Sequence, residues 1–281
     1  MSTDPATRAS RRALSPAASA ARARVWGSWY YAQTRIRAMR AYAISILLSA
    51  VAEPVLYLTA MGIGLGTLVD TQNGDVDGVP YLVFVAPALL VASLVASVGS
   101  EMSYPVMDGF KWGRTYYGPA ATAITPAQIA QGHFLAVLLR FVAQAGVFWL
   151  IMLAFGAVQV GWSVLAIPIG VLSAAAFGAP LQAYAATLVD EGYQFAFIER
   201  FVVMPMFLFA GTFFPLSAMP LYLQWVGWIS PVWHGTQLAR VAAYGADEPG
   251  WLIVVHLAFL IVCVVVGLRW ARSVYTRRLE G

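Results

Sequence analysis

Lysine, cysteine and charge are all scarce in this sequence. A single lysine, Lys111, stands between Phe110 and Trp112, so no Gly-Lys-Ser/Thr phosphate loop exists, and the chain cannot grip ATP through a Walker A lysine. The one cysteine, Cys263, lies in an apolar run and excludes any intrachain disulfide framework. The three histidines, His133, His234 and His256, form no His-Glu-x-x-His pair, and no ligand spacing suggests zinc. No Gly-x-Ser-x-Gly nucleophile elbow occurs either. Charged residues make up only 11% of the 281, against about 25% in a soluble domain. So few charges cannot coat a water-exposed globule of this size, and a chain that is 60% hydrophobic does not remain disordered.

What is present is apolar sequence in long runs, with a mean hydropathy of +0.71. Crossing a hydrocarbon core of roughly 30 Å takes about 20 such residues. Six candidate spans result: Tyr42–Gly66, Val79–Glu101, Gly132–Gly156, Ser163–Val189, Phe201–Leu216 and Trp251–Trp270. The fifth is short. The aromatic-rich segment after it, Ser217 to Tyr244, is broken by Pro220, Pro231 and Gly235 and reads as short helices in or dipping into the interface. The runs are continuous rather than alternating, which argues against a barrel. The expected fold is an all-α integral membrane protein of six transmembrane helices.

Arginine placement gives the orientation. Eight precede the first span, Lys111 and Arg114 fall after the second, Arg200 beside the loop after the fourth, and Arg269, Arg272, Arg277 and Arg278 end the chain. The first outer loop instead carries Asp70, Asp75 and Asp77, and only Arg240 falls on the opposite side. Both termini are therefore expected in the cytoplasm. Residues 1–20 are expected to be a disordered cytoplasmic tail rather than a signal peptide, because ALSPAASA is small rather than strongly apolar. In residues 21–40, Trp26, Trp29, Tyr30 and Ile36 interleave with five arginines, the pattern of an amphipathic helix on an anionic leaflet. The rest, residues 41–281, form the membrane domain.

Ionisable residues inside spans are costly unless paired. Counted from the span starts, Glu53 and Arg140 fall at similar depth, within reach of an ion pair that would fix helix packing or serve in substrate contact or a moving coupling. Glu101 closes the second span at the cytoplasmic edge, where a carboxylate is unremarkable.

Several motifs then resemble one family. Glu53-Pro54, Leu56-Tyr57-Leu58 and the glycines Gly62, Gly64 and Gly66 resemble the first span of type-2 ABC exporter permeases. The similarity is greatest to the lipooligosaccharide branch that includes the nodulation-factor export permease, with drug-resistance permeases next. Tyr81 through Ala86-Pro87, the stretch Thr115-Tyr116-Tyr117 to Thr125-Pro126, and Gly132 fit the following segments. The most specific block is Phe209-Ala-Gly-Thr-Phe-Phe-Pro-Leu216 with Met219-Pro220, continuing through Ser230-Pro231, His234-Gly235 and Leu238-Ala239-Arg240. His133 stands where an acidic residue is expected.

The resemblance covers residues 25 to 275. It implies a permease subunit in a bacterial inner membrane, not an enzyme itself. The implied assembly is a dimer with a second, identical or paralogous permease on two copies of a separate ABC ATPase, which binds the ATP and magnesium. This chain would hold no cofactor and bind no nucleic acid. Its cargo would be a lipid-linked saccharide or another amphiphile. By analogy the 21–40 helix, with Trp26 and Trp29, and the loop residues Phe110, Lys111, Trp112 and Arg114 would dock on the ATPase; the other reading leaves them at the headgroup boundary. Asp190, Glu191 and Glu199 form either a solvated turn or a second contact. Trp225 and Trp228 belong to an aromatic belt or, with Phe213 and Phe214, to an exit gate. Met204, Met206 and Phe207 either pack or face a pathway at the dimer interface. Two rivals from other classes are a proton-coupled secondary transporter, which would work without an ATPase, and a non-transporting scaffold, which would show neither flux nor stimulated ATP turnover.

Overall fold

A computed structural model describes residues 15–190 and 192–281, leaving aside the side chain of Asn73. Residues 1–14 of the expected tail and Glu191 lie outside the described residues. Helix α1 runs Pro16–Met39, so it starts five residues before the expected interface helix: Ser15 caps the Ala18 N–H at 3.2 Å and Pro16 supplies the fixed φ of a first turn. A tight turn at Arg40–Tyr42 leads to α2 (Ala43–Tyr57). Pro54 cannot donate a helical hydrogen bond, and soon after it the helix widens into π geometry over Leu58–Leu65 before closing as α3 (Gly66–Asn73). Helix α4 spans Tyr81–Glu101 and is followed by α5 (Tyr104–Phe110) and the single turn α6 (Tyr117–Ala120). Helix α7 (Pro126–Ala154) opens with a capping box, Thr125 and Gln128 bonding each other's backbone N–H groups at 3.0 and 3.3 Å. Helix α8 covers Ala166–Thr187. Next come α9 (Gln194–Ile198), a π turn at Glu199–Val203 and α10 (Met204–Phe209). Helices α11 (Leu221–Trp228), α12 (Pro231–Tyr244) and α13 (Gly250–Glu280) complete the chain.

Among the described residues five helical stretches are long and apolar enough to cross a membrane: 16–72, 81–110, 126–154, 162–187 and 250–280. The segment expected as the fifth span, Phe201–Leu216, holds the end of the π turn and α10 and is helical only as far as Phe209, with α9 preceding it. The 210–216 stretch is not helical until a short turn at Leu216–Ala218.

Helix α4 is the axis of the bundle. It is apolar on every side, and Leu89, Leu90, Val91 and Leu94 are fully buried. Its neighbour α8 approaches closely because it is lined with glycine and alanine. Gly170 faces Leu90 and Leu94, and Gly178 faces Val98. Gly267 of α13 lies against the backbone at Ala179 and Pro180, so α13 seats on α8 with no room for a side chain. Gly62, one of the first-span glycines, similarly lets Leu82 of α4 fit against the π segment. By contrast α2 and α13 expose Ile44, Leu47, Leu48, Val254 and Val262, which form a lipid-ready perimeter.

Candidate functional site

Apart from Arg140 and Arg240, the described arginines collect at one end of the bundle, where α1, the α5–α6 loop, the start of α7 and the end of α13 meet. There Gln128 closes its capping box and also donates to the carbonyls of Ala23 and Arg24, at 3.3 and 2.7 Å, tying α1 to α7. Gly132 permits the approach, since a side chain there would meet the Ser28 carbonyl. Beneath this junction runs a chain of buried hydrogen bonds. Gln182 donates to Tyr275 Oη at 3.3 Å, Tyr275 to Tyr116 Oη at 3.2 Å, and Tyr116 in turn to His133 Nδ1 at 2.8 Å. Burial, reinforced by Tyr275 and Tyr31, holds the Tyr116 phenol well above its ordinary pKa, so it stays a donor. Neutral His133 thus occupies the position of the expected acid, held by a phenol instead.

Phe110 sits edge-on to Tyr116 and Tyr275, at 4.7 and 4.8 Å between ring centroids, under the Arg278 guanidinium. It is 3% exposed and is therefore a core residue, not the docking residue expected from its sequence neighbours. The neighbours do face outward. Trp26 and Trp112 are about half exposed, Trp29 is also exposed, and Arg114 stacks on the exposed Tyr117 at 5.0 Å. Lys111 reaches over Trp112 at 5.8 Å. Asp108 shapes this loop by accepting from Gly113 N–H at 3.0 Å, while Arg114 takes a positive φ of 49°. Asp190, Glu199 and Arg200 are exposed.

One level further in, Arg140 pairs with Glu101, not with Glu53. The expected depth was wrong for a physical reason. Helix α7 runs first along α1 and only then along α2, so Arg140 falls beside Met39, Arg40 and Ala43, where α2 begins. Glu53 lies about ten residues, roughly 15 Å, further along its own helix. It forms no ion pair among the described residues. Ser97 and Gln144, one turn beyond the pair, extend the polar contact of α4 and α7 at 3.5 Å.

The opposite end is built around a turn. Gly211, at φ 79°, starts the non-helical 211–215 stretch. Three groups brace it: Tyr81 Oη donates to the Phe213 carbonyl at 3.0 Å, Arg240 Nη2 donates to the Gly211 carbonyl at 2.8 Å, and Trp233 packs on Gly211. Arg240, the lone cation expected at this end, is buried. Its guanidinium stacks on Phe84 at 3.7 Å and also donates to the Phe84 carbonyl and to Gln237. Nearby, His234 Nε2 must donate to the Trp228 carbonyl at 3.0 Å, so its Nδ1 accepts from His256 Nδ1 at 2.7 Å. His256 Nε2 then faces Glu248 at 3.3 Å, a bonding contact only if one proton lies between them. The acids of the first loop are structural here. Asp70 accepts from the Tyr81 N–H, and Asp77, in a turn with Gly78 at positive φ, accepts from Tyr244.

Of the expected gate and pathway residues, the structure unites three. Phe207, Phe213 and Phe214 line an apolar cavity of about 650 Å³ with Tyr57, Met61 and Leu65. Met206 packs instead with Val203, Ala210 and Val232 against α4, and Met204 points outward. Trp225 and Trp228 are about half exposed and do not line this cavity. Among the described residues no group of three His, Cys, Asp or Glu side chains is placed to hold a metal. Sequence reading missed Tyr275 and Gln182, whose only signal is a polar residue in an otherwise apolar helix face.

A helical membrane bundle with a basic, aromatic-rimmed end and apolar side cavities defines the class of polytopic transport proteins. Residues 29–244 match the model of the ABC-2 type transporter family, and the chain belongs to that family. It is similar to nodulation protein J of Sinorhizobium fredii, 27% identical over 84% of this chain and 88% of the relative. The same-named protein of Rhizobium meliloti is 26% identical over 91% and 92%, and the inner membrane transport permease YadH of Escherichia coli is 24% identical over 78% and 87%. The chain is thus a membrane permease subunit without an ATPase domain of its own, from a family that works with ABC ATPase partners.

Proposed function

We propose that this chain is the permease subunit of an ATP-driven exporter of a lipid-linked saccharide or another amphiphile. In this reading α9–α10, about 24 Å long, completes a sixth crossing, with α11 and α12 as re-entrant pieces on the outer side. The basic end faces the cytoplasm of a bacterium, both described ends of the chain lie there, and two permeases, identical or paralogous, sit on two ATPase copies that bind ATP and magnesium. Trp26, Trp29, Lys111, Trp112 and Arg114 contact the ATPase, since exposed aromatics beside cations suit a protein partner. The Gln182–Tyr275–Tyr116–His133 chain beneath them couples the loop, α7, α8 and α13, and Gln128 ties α1 to α7, so movement imposed on the rim reaches the bundle.

The observation that carries the reading is the apolar side cavity between the π-distorted first span and α10. It offers an alkyl chain a place inside the bundle, and it is large enough for a substantial ligand. The test is purification of the tagged chain from its native membrane in mild detergent, followed by ATP turnover in lipid nanodiscs. A stoichiometric Walker A protein and turnover stimulated by a glycolipid support the proposal. A lone permease whose transport collapses with the proton gradient identifies a secondary transporter, and a complex with neither flux nor stimulation identifies a scaffold.

A further inference from the structure

Beside the apolar cavity, on the far side of the 211–216 turn, lies a second cavity of about 320 Å³ with the opposite chemistry. Its walls include Gln224, Trp228, Trp233, Gln237, Asp247 and Glu248, with Asp77 at the rim and Arg240 beneath. Pro215 lines both cavities, so a single turn divides them. We infer that the pair is one amphiphile site, in which the polar cavity takes an uncharged saccharide headgroup while the apolar one takes its alkyl chain. The inference rests on the proposed function and specifies how one protomer would hold such a cargo at its outer end.

The wall chemistry selects a sugar. A saccharide offers many hydroxyl donors and acceptors and apolar C–H faces, which call for amide and carboxylate partners beside flat aromatic rings. Gln224 donates one amide N–H to the Met219 carbonyl at 2.9 Å, which leaves its second N–H and its oxygen for a ligand. Asp247 is exposed at the cavity and makes no hydrogen bond or ion pair among the described residues. Glu248, by contrast, accepts from Gln237 at 3.1 Å, and Arg240 is fixed by two backbone carbonyls and Gln237. The floor is therefore preorganised and the rim is available. Trp233 is wedged edge-on to His234 and His256, at 5.0 and 4.9 Å, so it presents a rigid face at small entropic cost. The cavity's one cation stands among three carboxylates, Asp77, Asp247 and Glu248, which makes it a poor host for a phosphate headgroup.

The test uses the permease in nanodiscs of phosphatidylethanolamine and phosphatidylglycerol, with dodecyl maltoside carrying a diazirine at the tail tip. After irradiation the labelled peptides are mapped by mass spectrometry. The expected result is labelling concentrated at Tyr57, Met61 and Phe207. It should be reduced about tenfold in the double variant Q224A/D247A, and a dodecyl trimethylammonium probe should label these positions no more than the lipid-facing Leu47 and Val262. The inference is overturned by even labelling of the perimeter, by labelling that the double variant leaves unchanged, or by preference for the ammonium probe, which would make this a cation site. A Tm measured alongside establishes that the variant is folded; if it is not, the single variant Q224A carries the same comparison. Labelling needs no ATP, so failure here is separable from failure of the transport reading, which the ATP-turnover assay decides.

Discussion

The two ends of the bundle solve different problems with similar residues. At the basic end, aromatic rings are split between a buried cluster (Phe110, Tyr116, Tyr275) and an exposed rim (Trp26, Trp29, Trp112). A chain of side-chain hydrogen bonds runs beneath, and the helices are locked together. At the other end aromatics line cavities, and one buried arginine and one tyrosine hold a backbone turn between them. The difference teaches where rigidity is placed. The end with the arginines is a connected block suited to receive a push, whereas the far end is a braced partition with empty space on both sides.

The largest expected effect comes from removing the brace. Arg240→Met leaves the Gly211 carbonyl without its donor, strips the guanidinium from the Phe84 ring and should cost about 3 kcal/mol or more, read as a sharp fall in Tm in detergent. An unchanged Tm would show that the turn stands by itself. Next, Gly267→Leu should separate α13 from α8, because the backbone at Ala179 and Pro180 occupies the space, at a cost of roughly 2–3 kcal/mol. Protease sensitivity at both ends would then rise together. At the intermediate level, reversing Glu101 or Arg140 alone should lower the yield of folded protein, and the exchange Glu101→Arg with Arg140→Glu should restore most of it. The corresponding exchange of Glu53 with Arg140 should restore nothing. Smaller again, Tyr116→Phe removes the bonds to His133 and Tyr275 for about 1–2 kcal/mol, confined to the basic end. Least for stability, Trp112→Ala with Arg114→Ala should leave Tm within about 0.5 kcal/mol of equivalent change while uncoupling ATP turnover from cargo.

The apolar runs and the arginine bias made the helical membrane class and the chemistry of the two ends legible, because composition and hydropathy report burial directly. Helix lengths within the runs were less legible. Thr125 and Pro126 start α7 well before its apolar stretch, and the packing of α7 along α1 before α2 sets a register that puts Arg140 beside Ala43 and on Glu101 rather than on Glu53. Phe110 was misplaced for a related reason: next to Lys111 and Trp112 it looks like part of an exposed patch, but the helical turn of α5 rotates it inward onto Tyr275, 165 positions away. Contacts at such separation leave no local trace. Glu53, Glu101 and Arg140 were all visible as charges to be accounted for, yet which two meet depends on helix register. Phe213 and Phe214 were expected at a gate and Phe207 at a separate pathway, and only the fold brings the three to one cavity, while the polar partner cavity draws on residues 77, 224 and 248 from separate loops and helices.

The proposed function requires the basic end to be the one that meets the ATPase. A photocrosslinking amino acid placed in turn at residues 26, 112, 114, 225 and 247, followed by irradiation in native membranes, tests this directly. Crosslinks to a nucleotide-binding protein from positions 26, 112 and 114, and none from 225 and 247, are predicted. Crosslinks from the Trp225–Asp247 end, or none from the basic rim, would contradict it.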